Sequence, residues 1–377
     1  MSKASVHILL VSDQAAPSLL PALDPALKPA EAVLMVSGKM RARADSLEAV
    51  LHESGVKTTR IALEDEHDFG KLENALLEVA STRDGQSIAL NVTGGTKLMA
   101  LAAQSIAVAA KWSVFYVDVD TDEVIWLGKD SHRQPLTQQL RLRHYLRGYG
   151  FTLEEGVQRP QPSQRHNDLL STLITQVGSL EKPLAQLNWL GQKAEEQKRL
   201  SVTLTPDQQD SRGLEALFRI FQDAGVLAVA GDKLTFADET ERSFAKGGWL
   251  EHHVFRSVSV LSGELGLRDK AANLQVQDMD KVRNELDVAF MAKNRLFVIE
   301  CKTARMDKPE APKANDTLFK LAEICRRVGG LGTRGMLASY RPLGDAEKRL
   351  AGALRIELVC GPELARLDEK IRNWVRR

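Results

Sequence analysis

Short apolar runs of β type alternate with amphipathic helical stretches through the first third of the chain, and this alternation leaves few folds open. Residues 6–11, 32–36, 58–63, 87–92 and 113–118 read as buried strands. Between them, residues 41–54, 69–81 and 98–110 carry helical periodicity. Strands that alternate with helices are joined by crossovers, which gives a mostly parallel sheet with helices on both faces. The expectation is an α/β, Rossmann-like domain at the start of the chain.

With 377 residues, the chain exceeds the usual span of a single hydrophobic core, so two or three domains are expected. A formal net charge of +1 gives no global attraction to nucleic acid or anionic membrane, so any nucleic-acid contact must be local. The first apolar run is too short for a signal sequence, and no apolar stretch reaches bilayer-spanning length. The protein is therefore expected in the cytoplasm, away from membranes. Cys301, Cys325 and Cys360 are odd in number and widely spaced, which fits reduced thiols rather than a disulfide framework or a zinc site.

Residues 154–166 are polar and interrupted by two prolines, the best linker candidate in the chain. Helical segments near 168–177, 182–197 and 212–225 follow, then a small hairpin formed by 226–230 and 233–236. Helices closed by a hairpin resemble a winged helix. Such a module can dock on DNA or act as a spacer or dimer contact; no basic recognition helix stands out, which favours the spacer. From about residue 244 the pattern changes to a helix at 248–261, strands at 285–291 and 296–301, a helix at 317–328 and a strand near 335–339. The expected organisation is thus 1–153, 154–243 and 244–377.

The last region carries the chemistry. Side chains alternate along a strand, so Glu300 and Lys302 share a face in an otherwise apolar run. Charges there need partners, metal or solvent, because burying them unpaired is strongly unfavourable. Glu285 and Asp287 alternate in the same way on the preceding run. A hairpin about Lys293-Asn294 would pair Ala292 with Arg295, Phe290 with Phe297, Val288 with Ile299 and Asp287 with Glu300. Two opposed carboxylates repel unless a cation lies between them, and oxygen ligands favour Mg²⁺ or Mn²⁺. Lys302 adds a fixed positive charge beside an attacked phosphate, and Glu251, in a helix, is a further candidate carboxylate.

The spacing of Asp287, Glu300 and Lys302 on adjacent strands resembles the PD-(D/E)xK nuclease superfamily over roughly residues 244–377. Glu251 matches its helical acidic position. The resemblance implies a restriction-endonuclease-like fold and a metal held by Asp287, Glu300, Glu251 and the backbone carbonyl of Cys301.

A second constellation lies in the first domain. Thr93-Gly94-Gly95-Thr96-Lys97 joins an apolar strand directly to a helix. The glycines allow a tight turn, while helix N-terminal amides and Lys97 offer positive charge to phosphate. The pattern is neither the Walker motif nor the dinucleotide fingerprint, so ATPase and dehydrogenase readings lose support. Ser12-Asp13-Gln14 and Ser37-Gly38-Lys39-Met40 follow two other strands. Ligands bind at the carboxyl ends of strands in open α/β sheets, where the three loops are expected to converge.

Thr-Gly-Gly-Thr-Lys in a Rossmann-like domain, joined to the nuclease motif, is similar to the CARF (CRISPR-associated Rossmann fold) nucleases over essentially the whole chain. The resemblance implies a homodimer that binds a cyclic oligoadenylate, cyclic tetra-adenylate foremost, made during type III CRISPR interference. It also implies an endonuclease that this ligand switches on, acting on single-stranded RNA or DNA or nicking duplex DNA. The alternative is a nucleotide-responsive transcriptional regulator that binds DNA through its middle segment; the intact acid–lysine set argues against it. Nothing in the residues decides whether the first domain degrades its own activator. Arginines 326, 327, 334, 372, 376 and 377 are candidates for a substrate channel, though a solvated charged surface is the ordinary reading.

Overall fold

The computed structural model describes residues 4–154, 163–303 and 314–377; most of the expected linker lies outside them. The first seven strands are β1 (Val6–Leu10), β2 (Glu31–Val36), β3 (Lys57–Ala62), β4 (Ile88–Asn91), β5 (Ser113–Asp118), β6 (Glu123–Leu127) and β7 (His132–Pro135). They form one sheet in the order β3-β2-β1-β4-β5-β6-β7. The neighbours from β3 to β5 are parallel, as the alternation predicts, and β6 and β7 continue the sheet antiparallel. Alternating residues of β1 serve two cores: Leu9 packs with Leu19, Leu20 and Leu47 on one face, and Ile8 with Leu72, Met99 and Ala103 on the other.

The chain leaves this sheet through the helix Leu142–Gly148 and enters another at β8 (Thr152–Leu153). The middle segment contains helices Gln164–Thr175, Glu181–Glu196 and Arg212–Asp223. With them is a small sheet of β9 (Ser201–Thr203), β10 (Leu227–Ala230) and β11 (Lys233–Phe236), in the order β10-β11-β9.

The last sheet contains β12 (Asp269–Gln277), β13 (Arg283–Ala292), β14 (Arg295–Lys302), β15 (Arg334–Ser339) and β16 (Ile356–Cys360). Its order is β16-β15-β14-β13-β12-β8. The β13–β14 hairpin has the predicted register, with Ala292 opposite Arg295, Phe290 opposite Phe297 and Val288 opposite Ile299. Its turn needs no glycine, because Lys293 (φ 48°) and Asn294 (φ 54°) both adopt the left-handed conformation of a type I′ turn.

This sheet is filled on both sides. Val298, Leu296 and Ala289 join the core that also holds Leu140 and Tyr145 of the first half. Phe290, Phe297 and Ile299 join the core built by the middle segment and the helix Trp249–Val260. The parts are thus fused through apolar packing rather than strung together. No helix among the described residues is long and apolar enough to cross a membrane.

Asn294 fastens the hairpin tip to the first half. Its side chain accepts the Leu140 N–H at 2.8 Å and donates to Asp122 Oδ1 at 3.0 Å and to the Gln138 carbonyl at 2.9 Å. Arg295 beside it reaches Asp120 at 2.6 Å. Replacing Asn294 leaves buried donors and acceptors without partners, each worth roughly 1–3 kcal/mol. Asn294→Gly retains the turn and is expected to lower the thermal unfolding midpoint by several degrees; Asn294→Ala, strained at positive φ as well, should lower it further. Calorimetry showing both variants as stable as the parent would contradict this assignment.

Candidate functional site

The acidic residues meet where the regular ladders of the last sheet stop. Between β12 and β13, hydrogen-bonded pairing skips Asn273 opposite Asp287, and Asn273 turns to a φ of 50°. Between β13 and β14, pairing ends at Val288–Ile299, one step short of Asp287 and Glu300. The expected Asp287–Glu300 pair is therefore absent. Two carboxylates held face to face would repel; instead the Asp287 Oδ2 accepts the backbone N–H of Cys301 at 2.7 Å. Glu300, on the next residue of the ladder, is held by its own strand neighbour: Lys302 Nζ lies 2.5 Å from Glu300 Oε1.

Glu251 arrives from the other face of the sheet. The helices Glu239–Ser243 and Trp249–Val260 are joined by a π-type turn, Phe244–Gly248. Gly247 has φ 152°, and a Cβ there would stand 2.2 Å from Thr303 Oγ1. Only glycine lets the turn pass this close to the end of β14, which delivers Trp249-Leu250-Glu251 to the acids. Insertions of this type are frequent at functional sites. Asn273 lies beside Glu251, where its amide favours the ionised carboxylate, and its own Oδ1 is buried without a partner among the described residues.

The electrostatics follow from burial and crowding. Burial raises the Glu251 carboxyl to about 7, helped by the charges of Glu285 and Glu300 and opposed by Lys302. Burial also pushes Asp287 well above the usual carboxylate range, with Glu300 and Glu251 adding to it and the Cys301 N–H opposing it. Burial disfavours the charge on Lys302, but the charge and hydrogen bond of Glu300 outweigh it and raise the lysine. Among the described residues no three acidic, histidine or cysteine side chains stand together as a ready metal shell, since Glu300 is turned onto Lys302. The donor set nonetheless fits a hard divalent cation: three oxygen ligands in a partly buried place where their negative charge is under-compensated.

The cradle loops in the first domain adjoin because β2, β1 and β4 are neighbours. Gly94 lies directly on the turn after β1: a Cβ would be 2.1 Å from the Leu10 carbonyl oxygen and 3.3 Å from Ser12 Oγ. Gly95 takes φ 72°. Thr96 caps the helix Lys97–Ala109 by accepting the Met99 N–H at 3.2 Å while its own N–H reaches the Met99 sulfur at 3.5 Å, which leaves the Lys97 and Leu98 amides without a partner among the described residues. Lys97 is exposed. Thr93 is occupied structurally, its hydroxyl accepting the Val117 N–H at 2.7 Å.

Other predicted cradle residues have different surroundings. Ser37 is buried and, with Lys39 at 3.1 Å, engages Glu66, while Gly38 opens a short 3₁₀ turn and Met40 packs against the first core. Asp13 approaches Arg43 at 3.4 Å. Gln14 turns toward the nuclease half: Tyr149 Oη donates to its Oε1 at 3.3 Å, and its amide packs on Gly330. The candidate channel arginines are mostly committed to ion pairs, Arg326 with Glu323, Arg327 with Asp278, Arg372 and Arg376 with Glu264, and Arg377 with Glu357, and Arg334 lies on β15.

Asn273 and Gly247 escape sequence reading. Asn273 stands in an ordinary amphipathic strand without a local signal. The Gly247-Gly248 pair is visible, but its role depends on Thr303, distant in sequence.

Known proteins match this arrangement at both ends. Residues 6–145 match the family model for the Card1 CARF domain, and residues 238–377 match that for the Card1-like endonuclease domain. Among solved structures, protein VC1899 from Vibrio cholerae is similar with a TM-score of 0.90 at 26% identity, over 98% of each chain. Can2 from Sulfobacillus thermosulfidooxidans, solved in complex with cyclic tetra-adenylate, gives a TM-score of 0.83 at 23% identity, over 99% of this chain and 98% of that one. A type III CRISPR defence DNA nuclease activated by cyclic oligoadenylate gives 0.56 at 19% identity, over 91% of this chain but 46% of its own. No curated protein sequence matches the chain. The two family models fall on the two large sheets, one carrying the glycine-rich cradle and the other the acid–lysine cluster, and the chain belongs to the CARF-domain nucleases, with a Card1 CARF domain joined to a Card1-like endonuclease domain.

Proposed function

We propose that the protein is a divalent-metal-dependent endonuclease of type III CRISPR defence that hydrolyses single-stranded RNA or DNA when cyclic tetra-adenylate occupies its first domain. The observation that carries the reading is the acid–lysine cluster: Glu300 and Lys302 in contact at 2.5 Å, with Asp287 and Glu251 sharing the same partly buried place. Asp287, Glu300, Glu251 and the Cys301 carbonyl would hold Mg²⁺ or Mn²⁺. Such an ion stabilises charge on the attacked phosphate and lowers the pKa of a bound water. The chain's own groups set the geometry. The Cys301 N–H fixes the Asp287 carboxylate, Asn273 orients Glu251, and Lys302, kept protonated, places positive charge where negative charge develops on the phosphate.

The ligand named for the similar Can2 structure suits the cradle here. A ring of phosphates presents anionic groups to the Gly94–Gly95 turn, the open helix amides and Lys97. The following helix exposes Leu101 (63%) and Val108 (67%), seven residues apart on one face. A second copy of the chain would cover that stripe and supply the second cradle for a two-fold ring.

Cleavage of labelled single-stranded RNA and DNA with Mn²⁺ is expected only when cyclic tetra-adenylate is added. Glu300→Ala and Lys302→Ala should each reduce the rate by at least about a hundredfold. Activity independent of the ligand, or surviving both substitutions, would remove the reading.

Crowded acids also cost stability. A buried acid with a raised pKa does not oppose folding at pH values below its unfolded value, and opposes it fully once pH exceeds the folded value. For Glu251 that window runs from 4.5 to about 7. Without divalent ions, Glu251→Gln is therefore expected to raise the melting temperature by a few degrees at pH 8 and to leave it unchanged near pH 4; Asp287→Asn should act in the same direction. Added Mn²⁺ should stabilise the parent and not these variants, a difference readable by calorimetry without any activity assay.

A further inference from the structure

The middle segment has a part that the acid–lysine cluster does not use. The helix Glu181–Glu196 passes along the carboxyl ends of the central nuclease strands. Near its start, Glu181 is 3.9 Å from Arg341, just beyond β15. Two turns further, Asn188 Nδ2 donates to the carbonyl of Thr303 at 3.0 Å, the residue after Lys302. Near its end, Glu195 pairs with Lys246 at 2.6 Å, in the turn that delivers Glu251. The helix is thus fixed at three points around the ends of β14 and β15 and the turn that carries the chain to Glu251.

Its charges are sorted. Glu181 and Glu195 are drawn inward by Arg341 and Lys246, while Lys182, Trp189 and Lys193 recur at spacings of seven and four and so share the outward face. Trp189 exposes 50% of its surface, and Lys193 Nζ lies 5.0 Å from its ring centroid. Among the described residues neither lysine has a carboxylate partner. Glu196, three residues beyond Lys193, takes a hydrogen bond from Gln192 at 3.0 Å. This half-exposed indole, with Lys193 against its ring and Lys182 two turns before it, stands on the flank of the helix next to the one that touches Thr303.

We propose that this face is a platform for the strand being cleaved: Trp189 stacks on an unpaired base, and Lys182 and Lys193 hold the adjoining phosphates, on the helix whose inner side touches the residue after Lys302. The occupant is single-stranded because the bases of a duplex are stacked on one another and closed to an indole, whereas aromatic platforms between cations accept any unpaired base. The assignment rests on the nuclease reading above and adds to it the means of substrate binding.

Binding of a short labelled oligothymidylate, followed by fluorescence anisotropy with and without cyclic tetra-adenylate, tests the platform in a Glu300→Ala background that prevents cleavage. Trp189→Ala should weaken binding about tenfold, and Trp189→Phe, which retains a stacking ring, should recover most of the loss. Lys182→Ala with Lys193→Ala should reduce the salt dependence by a slope of about one to two. In the cleaving protein, Trp189→Ala should raise KM while kcat at saturation stays near the parent value, with an unchanged melting temperature. Unaltered affinity in Trp189→Ala, or no oligonucleotide binding by the Glu300→Ala parent in either state, overturns the platform. Failure of the nuclease reading itself would appear separately, as absent cleavage or cleavage that persists in Glu300→Ala.

Discussion

The structure is organised around the difficulty of holding several carboxylates at the edge of an apolar sheet. An ionised acid out of water is unfavourable, and neighbouring acids compound it. The chain meets this with local compensation: a lysine two residues along the strand for Glu300, a backbone N–H for Asp287 and an asparagine amide for Glu251. Each device disturbs regular structure. The ladders of β12, β13 and β14 open at the same level, Asn273 leaves the extended conformation, and a π-type turn interrupts the helix that carries Glu251. These irregularities lie where the carboxylates converge, while the same strands pair normally a few residues away.

The pattern also explains what could be read in the residues beforehand. The parallel part of the first sheet was legible because buried strands and amphipathic helices differ in period and length. The β13–β14 register was legible because one short turn fixes every pair beyond it. Strand β12 was missed, since Ala271-Ala272-Asn273 dilutes its apolar alternation; β16 and the antiparallel β6 and β7 are short and carry charged or polar residues. Their places are set by the strands they join rather than by their own sequences.

Residue type and spacing put Asp287, Glu300 and Lys302 on adjoining strands, where the structure has them, but the direct pairing of the two acids is an ideal-ladder expectation that electrostatic repulsion overrides. Glu251 was visible only as one glutamate among many until the Gly247 turn brought it in. The loops after β1, β2 and β4 adjoin because those strands are neighbours, as their sequence alternation implies. Gln14 was not legible as an interdomain residue, because its partners Tyr149 and Gly330 are far along the chain.

Tyr145 illustrates how the halves are joined. It is buried in a core shared by both sheets, and its hydroxyl donates to the carbonyl of Gly329 at 3.2 Å, where the helix Ala314–Gly329 ends. That helix packs against β14 and β15, which bear the lysine–glutamate contact and its neighbours. With Gln14 seated on Gly330 next door, the halves meet here by direct contact. The turn after β1 and the flank of the strand that carries Glu300 therefore meet through a single helix end, so any ligand that moved the turn would bear on that one contact.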